Sequence, residues 1–389
     1  MNRLSRVGPV TRRSFLVAAA AQQVRGAAAR IDADGMMIVG GKRTFLHGLY
    51  QLPNVPDPWR AASEAGFQFA SAGAGAAALD EAFRHGMSGW VAVGSISPSK
   101  RRQDEERIRK QVGELKAHPA LLFWETEDEP SFQWKKPGPR VTPEVIRETY
   151  RFLKSLDPDR PVYLNHSPTN LVSTLQQYNP GADILATDIY PVIPHGIREQ
   201  YALWPDGRQG DLLNPYISQV GQYAAKIRQV AGRSRAVFMV LQGFAWENLR
   251  KDADPKMVLY PTRPQLRFMA CQSIVHGVNG LIWWGLKFTP AGAPLWDDLR
   301  AVTRELRSLD TELAAPPARV DMKLDYHDTG HSLDRGIEWI AKPSGGGFVV
   351  IAVNADPNPV EVTFSAARLP GGRLRHRFEP FGVHILRAG

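Results

Sequence analysis

One cysteine in 389 residues, Cys271, leaves no partner for an intramolecular disulfide and no set of thiolates for a cysteine-based zinc site. It lies in Leu266 to Val278, a stretch with the apolar pattern of a buried helix, so a packed thiol is expected rather than a nucleophile. No run approaches the ~18 uninterrupted apolar residues that a membrane span needs. No Gly-x-Gly-x-x-Gly turn follows the first β-prone run, which disfavours a doubly wound nucleotide-binding sheet. No acidic loop with Asn and Gly at calcium-binding spacing appears either, so neither a metal nor a cofactor is expected. What is present is ordinary for a folded chain: 43% hydrophobic and 22% charged residues exclude wholesale disorder.

The formal charge of +9 invites a nucleic-acid or membrane-surface partner until its location is considered. Residues 1–29 hold Arg3, Arg6, Arg12, Arg13 and Arg25 and no acid, so more than half of the excess sits there. Thr11-Arg12-Arg13-Ser14-Phe15-Leu16, a mildly apolar Val17 to Ala21 and a small-residue Ala27-Ala28-Ala29 follow in order. The segment resembles a twin-arginine export signal, which implies a periplasmic or secreted protein with no membrane contact after its removal. The remaining dense basic run, Lys100-Arg101-Arg102, is offset at once by Asp104, Glu105 and Glu106 on a helix pattern. No nucleic-acid partner is expected, and nothing in the sequence sets an oligomeric state.

From residue 44 to 286, eight short β-prone runs alternate with helical periodicity: 44–49, 67–73, 90–95, 121–127, 162–165, 184–190, 237–242 and 281–286. Eight strand-helix units in about 270 residues suit a (β/α)8 TIM barrel. After Ala315-Pro316-Pro317 the pattern becomes short β segments parted by Gly- and Pro-rich turns, which reads as a C-terminal antiparallel β-sandwich. The expected organisation is an export segment at 1–29, a barrel at 30–315 and a sandwich at 316–389.

Barrel enzymes place their reacting groups at the C-terminal ends of the strands. The fourth run reads His118-Pro119-Ala120-Leu121-Leu122-Phe123-Trp124-Glu125-Thr126-Glu127-Asp128-Glu129-Pro130, so carboxylates crowd one strand end. Regular alternation puts Trp124, Thr126 and Asp128 on one face and Glu125, Glu127 and Glu129 on the other. Crowding and partial burial raise the pKa of a carboxyl, which suits Glu129 to general-acid work.

This strand resembles that of the (β/α)8 clan A of retaining glycoside hydrolases, His-Pro-Ala followed by Trp and Asn-Glu-Pro, with His118, Pro119, Ala120, Trp124, Glu129 and Pro130 on the pattern. The resemblance implies a glycosidase acting on a carbohydrate, with Glu129 as acid/base. Asp128 replaces the clan's Asn, and a carboxylate accepts but does not donate unless protonated. At the end of the seventh strand, where the clan has a nucleophilic Glu, stands Gln242. Three substitutes are open: Glu247 in the next loop, Asp188 at the end of the sixth strand, or Gln242 itself orienting water or an acetamido group. Trp124, Trp134, Tyr190, Trp246 and Trp283 are candidate sugar platforms. Asn165 and His166 on the fifth strand, and His47 on the first, are expected at the same rim. The competing expectation is a catalytically silent carbohydrate-binding barrel, motivated by Gln242.

Overall fold

The computed structural model describes residues 29–73, 75–132, 138–194, 214–327 and 333–388. Residues 1–28, nearly all of the expected export segment at 1–29, and Trp134 lie outside these residues. Three short antiparallel strands come first: β1 Arg30–Ile31, β2 Met37–Val39 and β3 Lys42–Thr44. Strands of two or three residues are too short to show alternation, so no periodicity marks them. Their turn passes close under the barrel: Gly35 has φ 84°, and a Cβ there would lie 2.5 Å from the Arg235 carbonyl oxygen. Met37 and Val39 join the apolar cluster that fills the barrel, closing its N-terminal end.

Eight parallel strands then close into a barrel: β4 Leu46–Leu49, β5 Phe69–Ser71, β6 Ser88–Ala92, β7 Leu121–Asp128, β8 Val162–His166, β9 Ile184–Ile189, β10 Ala236–Gln242 and β11 Gly280–Trp284. Around them run α1 Pro58–Ala65, α2 Ala76–Arg84, α3 Arg101–Leu115, α4 Pro143–Leu156, α5 Val172–Gln176, α6 Gln219–Ala231, α7 Arg263–Val275, α8 Pro294–Arg307 and α9 Asp310–Ala314. Local chemistry sets the helix ends. Asp57 accepts from the Arg60 N–H to start α1, and Gly66 in the left-handed region at φ 100° ends it. Among the described residues no helix is long and apolar enough to cross a membrane.

Strand alternation sorts the side chains into two cores. Phe69, Trp90, Phe123, Tyr163 and Phe238 point inward, and each ring meets the next around the barrel at centroid separations of 5.5 to 6.4 Å. Each such pair contributes roughly 0.5–1.5 kcal/mol beyond its buried area. Rings this large fit because Gly48 and Gly280 leave room: a Cβ at Gly48 would sit 2.3 Å from the Phe69 ring, and one at Gly280 2.8 Å from the Phe238 ring. The opposite parity, including Val91, Trp124, Leu164, Met239 and Trp283, packs outward against the helices. Cys271 is buried in α7 and its thiol is pushed up to about 12 by burial, an inert state as expected.

Six further strands form two three-stranded antiparallel sheets: β12 Lys323–Tyr326 with β15 Val360–Ser365 and β16 Arg373–Phe378, and β13 Ile337–Ser344 with β14 Gly347–Asn354 and β17 Val383–Ala388. The strand at β12 is an addition to the sequence reading, since Lys323 and Asp325 disguise it as loop. On β14, Val350 and Ala352 face the sandwich core while Val349, Ile351 and Val353 join the core around the barrel, so this strand cements the two parts. Arg267 Nη1 donates to the Val383 carbonyl at 2.7 Å across the same junction.

Candidate active site

The C-terminal mouth of the barrel is shaped by an irregularity in β7. Glu125 pairs with Tyr163 of β8, but Asp128 pairs with Asn165, so three residues of one strand span two of the other. Such a bulge resets the alternation. Glu125 and Asp128 therefore both address the barrel axis, which corrects the strict two-face reading of residues 124–129. The strand then turns at Glu129, whose φ of 47° lies in the left-handed region that a long side chain enters only under constraint. Its N–H donates to the Asn165 carbonyl at 3.0 Å, which anchors the turn.

Three carboxyls, those of Asp128, Glu129 and Asp188, meet here. Asn165 Nδ2 donates to Asp128 Oδ1 at 3.0 Å and to Asp188 Oδ1 at 3.4 Å, standing between those two acids. Glu129 and Asp188 lie close enough for each carboxyl to influence the titration of the other, an arrangement that favours one proton held between the two. Burial raises both pKa values, and the charge of Asp128 adds to each. Arg140, 3.8 Å from Glu127, is a cation whose field opposes the rise at Glu129. Among the described residues no group of three or more His, Cys, Asp or Glu is arranged to hold a metal ion.

Glu125 lies below them, buried at 5% exposure. Its Oε2 accepts from Trp90 Nε1 at 2.8 Å and its Oε1 from the Tyr50 hydroxyl at 3.2 Å. Burial first, and then repulsion by Asp128, pushes its pKa from 4.5 to about 7. The folded chain thus holds this proton more tightly than the unfolded one. The associated stability is complete below about 4.5, the unfolded value, and is lost as pH rises through about 7. About 3 kcal/mol is at stake at 1.36 kcal/mol per unit. In urea titrations Glu125→Gln should lose less stability than wild type between mildly acidic and mildly alkaline pH; parallel curves would refute the assignment.

Several expected site residues lie elsewhere. Trp124 is wholly buried on the outer face, its Nε1 donating to Asp157 Oδ2 at 2.9 Å, so it is no sugar platform. Trp124→Phe should cost about 2–3 kcal/mol in stability, one hydrogen bond plus the cavity left by the smaller ring, and leave ligand affinity unchanged; weakened glycan binding would contradict the placement. His166 is likewise turned outward, edge-on to Tyr178 with centroids 5.7 Å apart. Burial drives its pKa down to about 3, so it stays neutral. His47 faces Asp310 of α9 at 3.5 Å rather than the mouth. Trp283 packs among the helices, and it is Trp284, one residue on, that faces inward.

Gln242 does point inward, but its amide is committed to the backbone. Oε1 accepts from the Val192 N–H at 2.8 Å, and Nε2 donates to the carbonyls of Val192 at 2.9 Å and Phe244 at 3.1 Å. Glu247 is buried within its own loop, with Oε1 accepting from the Asp254 N–H at 2.8 Å and 3.6 Å from Arg250 Nε. Tyr190 stacks on Trp284 at 5.4 Å, and Trp246 donates from Nε1 to the Tyr190 carbonyl at 3.1 Å. These half-buried rings, with Phe244, form an aromatic wall on the side of β9 to β11. The sequence reading missed Tyr50, Trp90, Tyr163 and Glu125 as site residues. Only Glu125 carried a usable signal, its place two residues after the inward Phe123.

No family model matches the chain, and no curated protein matches it. Solved structures do. A glycoside hydrolase family 5 protein from Bacteroides vulgatus superposes with a TM-score of 0.57 at 10% identity, covering 93% of this chain and 90% of that one. A glycoside hydrolase family 5 mannosidase from Rhizomucor miehei gives 0.52 at 12% identity, over 74% of this chain and 99% of that one. A beta-galactosidase from the psychrophilic Marinomonas ef1 gives 0.51 at 11%, over 71% and 62%. These likenesses establish the fold, a TIM barrel followed by a β-sandwich.

Proposed function

We propose that this protein is a glycoside hydrolase that cleaves a glycosidic bond in an oligo- or polysaccharide, with Glu129 and Asp188 as its carboxyl pair. The observation that carries the reading is their proximity: two buried acids from the ends of the fourth and sixth barrel strands, each modulating the titration of the other, with Asn165 bridging Asp188 to Asp128 at the mouth. A proton held between them is available to the leaving glycosidic oxygen while the partner carboxylate serves the anomeric carbon, directly or through water. In this reading an entering sugar comes between them. Asp128, held by Asn165, accepts from a sugar hydroxyl, and Tyr190, Trp246 and Trp284 offer flat surfaces to the ring. Export by the twin-arginine route to the periplasm or the medium is part of the proposal and rests on residues 11–29.

A catalytically silent carbohydrate-binding barrel is the second reading, favoured by the seventh strand ending in a backbone-bound Gln242. Incubating the full chain with a panel of glycans and measuring new reducing ends separates the two. Hydrolysis of one glycan class supports the first. Binding on a glycan array with no new reducing ends from any bound glycan establishes the second.

A further inference from the structure

Glu125 is not used by the proposed reaction, yet it has the most organised surroundings of the acids on β7. From β6 comes the Trp90 indole N–H, from the residue just after β4 the Tyr50 hydroxyl, and from its own strand the charges of Asp128 and Glu127. From β8 the Tyr163 hydroxyl lies 3.2 Å from that of Tyr50, where either oxygen can donate. Tyr163 in turn sits one inward position below Asn165, which holds Asp128 and Asp188. A continuous chain therefore runs from Glu125 through Tyr50 to Tyr163, beneath the acids of the mouth. With Glu125 ionised, both hydroxyls point their protons towards it. With Glu125 protonated, the carboxyl can donate to Tyr50, and the chain can run the other way, aiming a proton from Tyr163 at the mouth.

We propose that Glu125 is a positioning residue: through Tyr50 and Tyr163 it decides which way the hydrogen bonds of the barrel floor run beneath Asp128 and Asp188. Burial and the neighbouring Asp128 bring its titration to about 7, so the reversal falls within the working range of the site. Like-charge coupling is reciprocal, and an ionised Glu125 makes it harder for Asp128 above it, and through Asp128 the pair beside it, to lose a proton. Its role in turnover rests on the glycosidase reading; its titration does not.

Carbon-13 NMR of the full chain, labelled at the Asp and Glu carboxyls, follows both. Glu125, assigned by its loss in Glu125→Gln, should titrate near neutrality. Its midpoint should fall by about 1 unit in Asp128→Asn, where a repelling charge is gone, and rise in Tyr50→Phe, where a donor is gone. In Glu125→Gln the uppermost carboxyl midpoint of the Glu129–Asp188 pair should fall, and the alkaline limb of kcat/KM on a hydrolysed glycan should move to lower pH with it. A purely structural Glu125 would lower stability in these variants without moving the pair's midpoint, and that result overturns the proposal. So does a Glu125 resonance that fails to titrate in the neutral range. If no glycan is hydrolysed but the midpoints move as stated, the glycosidase reading falls while the coupling stands.

Discussion

Glu129→Gln and Asp188→Asn are each expected to lower turnover at least ~100-fold on any glycan the protein hydrolyses, the scale of general acid-base catalysis. Neither should unfold the chain. Both carboxyls are desolvated and their doubly ionised form is disfavoured, so making one of them permanently neutral leaves no additional unpaired charge. The two losses should not add, because the residues act as one proton-sharing unit and removal of either disables it. The double variant should be about as slow as the worse single one. The uppermost ionisation of the pair should also move down in both, since two carboxyls sharing a proton titrate in two separated steps and one carboxyl does not. Reducing-end assays with each variant, paired with circular dichroism to verify folding, test this. A single variant that keeps full turnover removes that residue from the chemistry.

Gln242→Glu is the second large effect, and its direction runs against what the strand position alone suggests. Restoring a carboxyl at the end of β10 should not raise activity. The Nε2 donors that now meet the carbonyls of Val192 and Phe244 would be replaced by an oxygen facing two oxygens, in a site with no exposure to water. An ionised group there costs at least ~3 kcal/mol, and protonation is the cheaper escape. The substituted Glu would carry a raised pKa in the folded state. The deficit should therefore grow as pH rises above ~4.3, the ordinary value for Glu, because the folded form must keep a proton that the unfolded form releases. Urea denaturation of wild type and variant at acidic and neutral pH measures it. A variant as stable as wild type at neutral pH would show that the Val192 loop is not held as described.

The barrel was legible because its evidence is local and repeated. Each strand is a short apolar run, each helix has its own periodicity, and eight of each leave few ways to close. Glu129 was legible for a similar reason: a run of acids ending at Pro130 is contiguous in the chain. Parity was not. Alternation counted along residues 124–129 assumes one residue per step, and the bulge between Glu125 and Asp128 breaks that count. Counted that way, Trp124 falls at the mouth and Glu125 on the other face, whereas it is Glu125 that points to the axis. Trp283 and Trp284 illustrate the same limit: with two tryptophans side by side, only the register of β11 against β4 and β10 says which faces in.

By itself the sequence determined the class of molecule: an eight-unit barrel, a terminal sandwich, an inert thiol and a strand end rich in acids. All of these follow from composition and short-range periodicity, which chain neighbours impose on one another. Tertiary structure alone decided the partners. Asp188 approaches Glu129 from two strands away around the barrel, Gln242 is tied to Val192 fifty residues earlier, and Glu125 is held by Trp90 and Tyr50, 35 and 75 residues earlier in the chain. Proton sharing, burial and repulsion act over a few ångströms in space, and closure of the barrel is what brings these residues within that range.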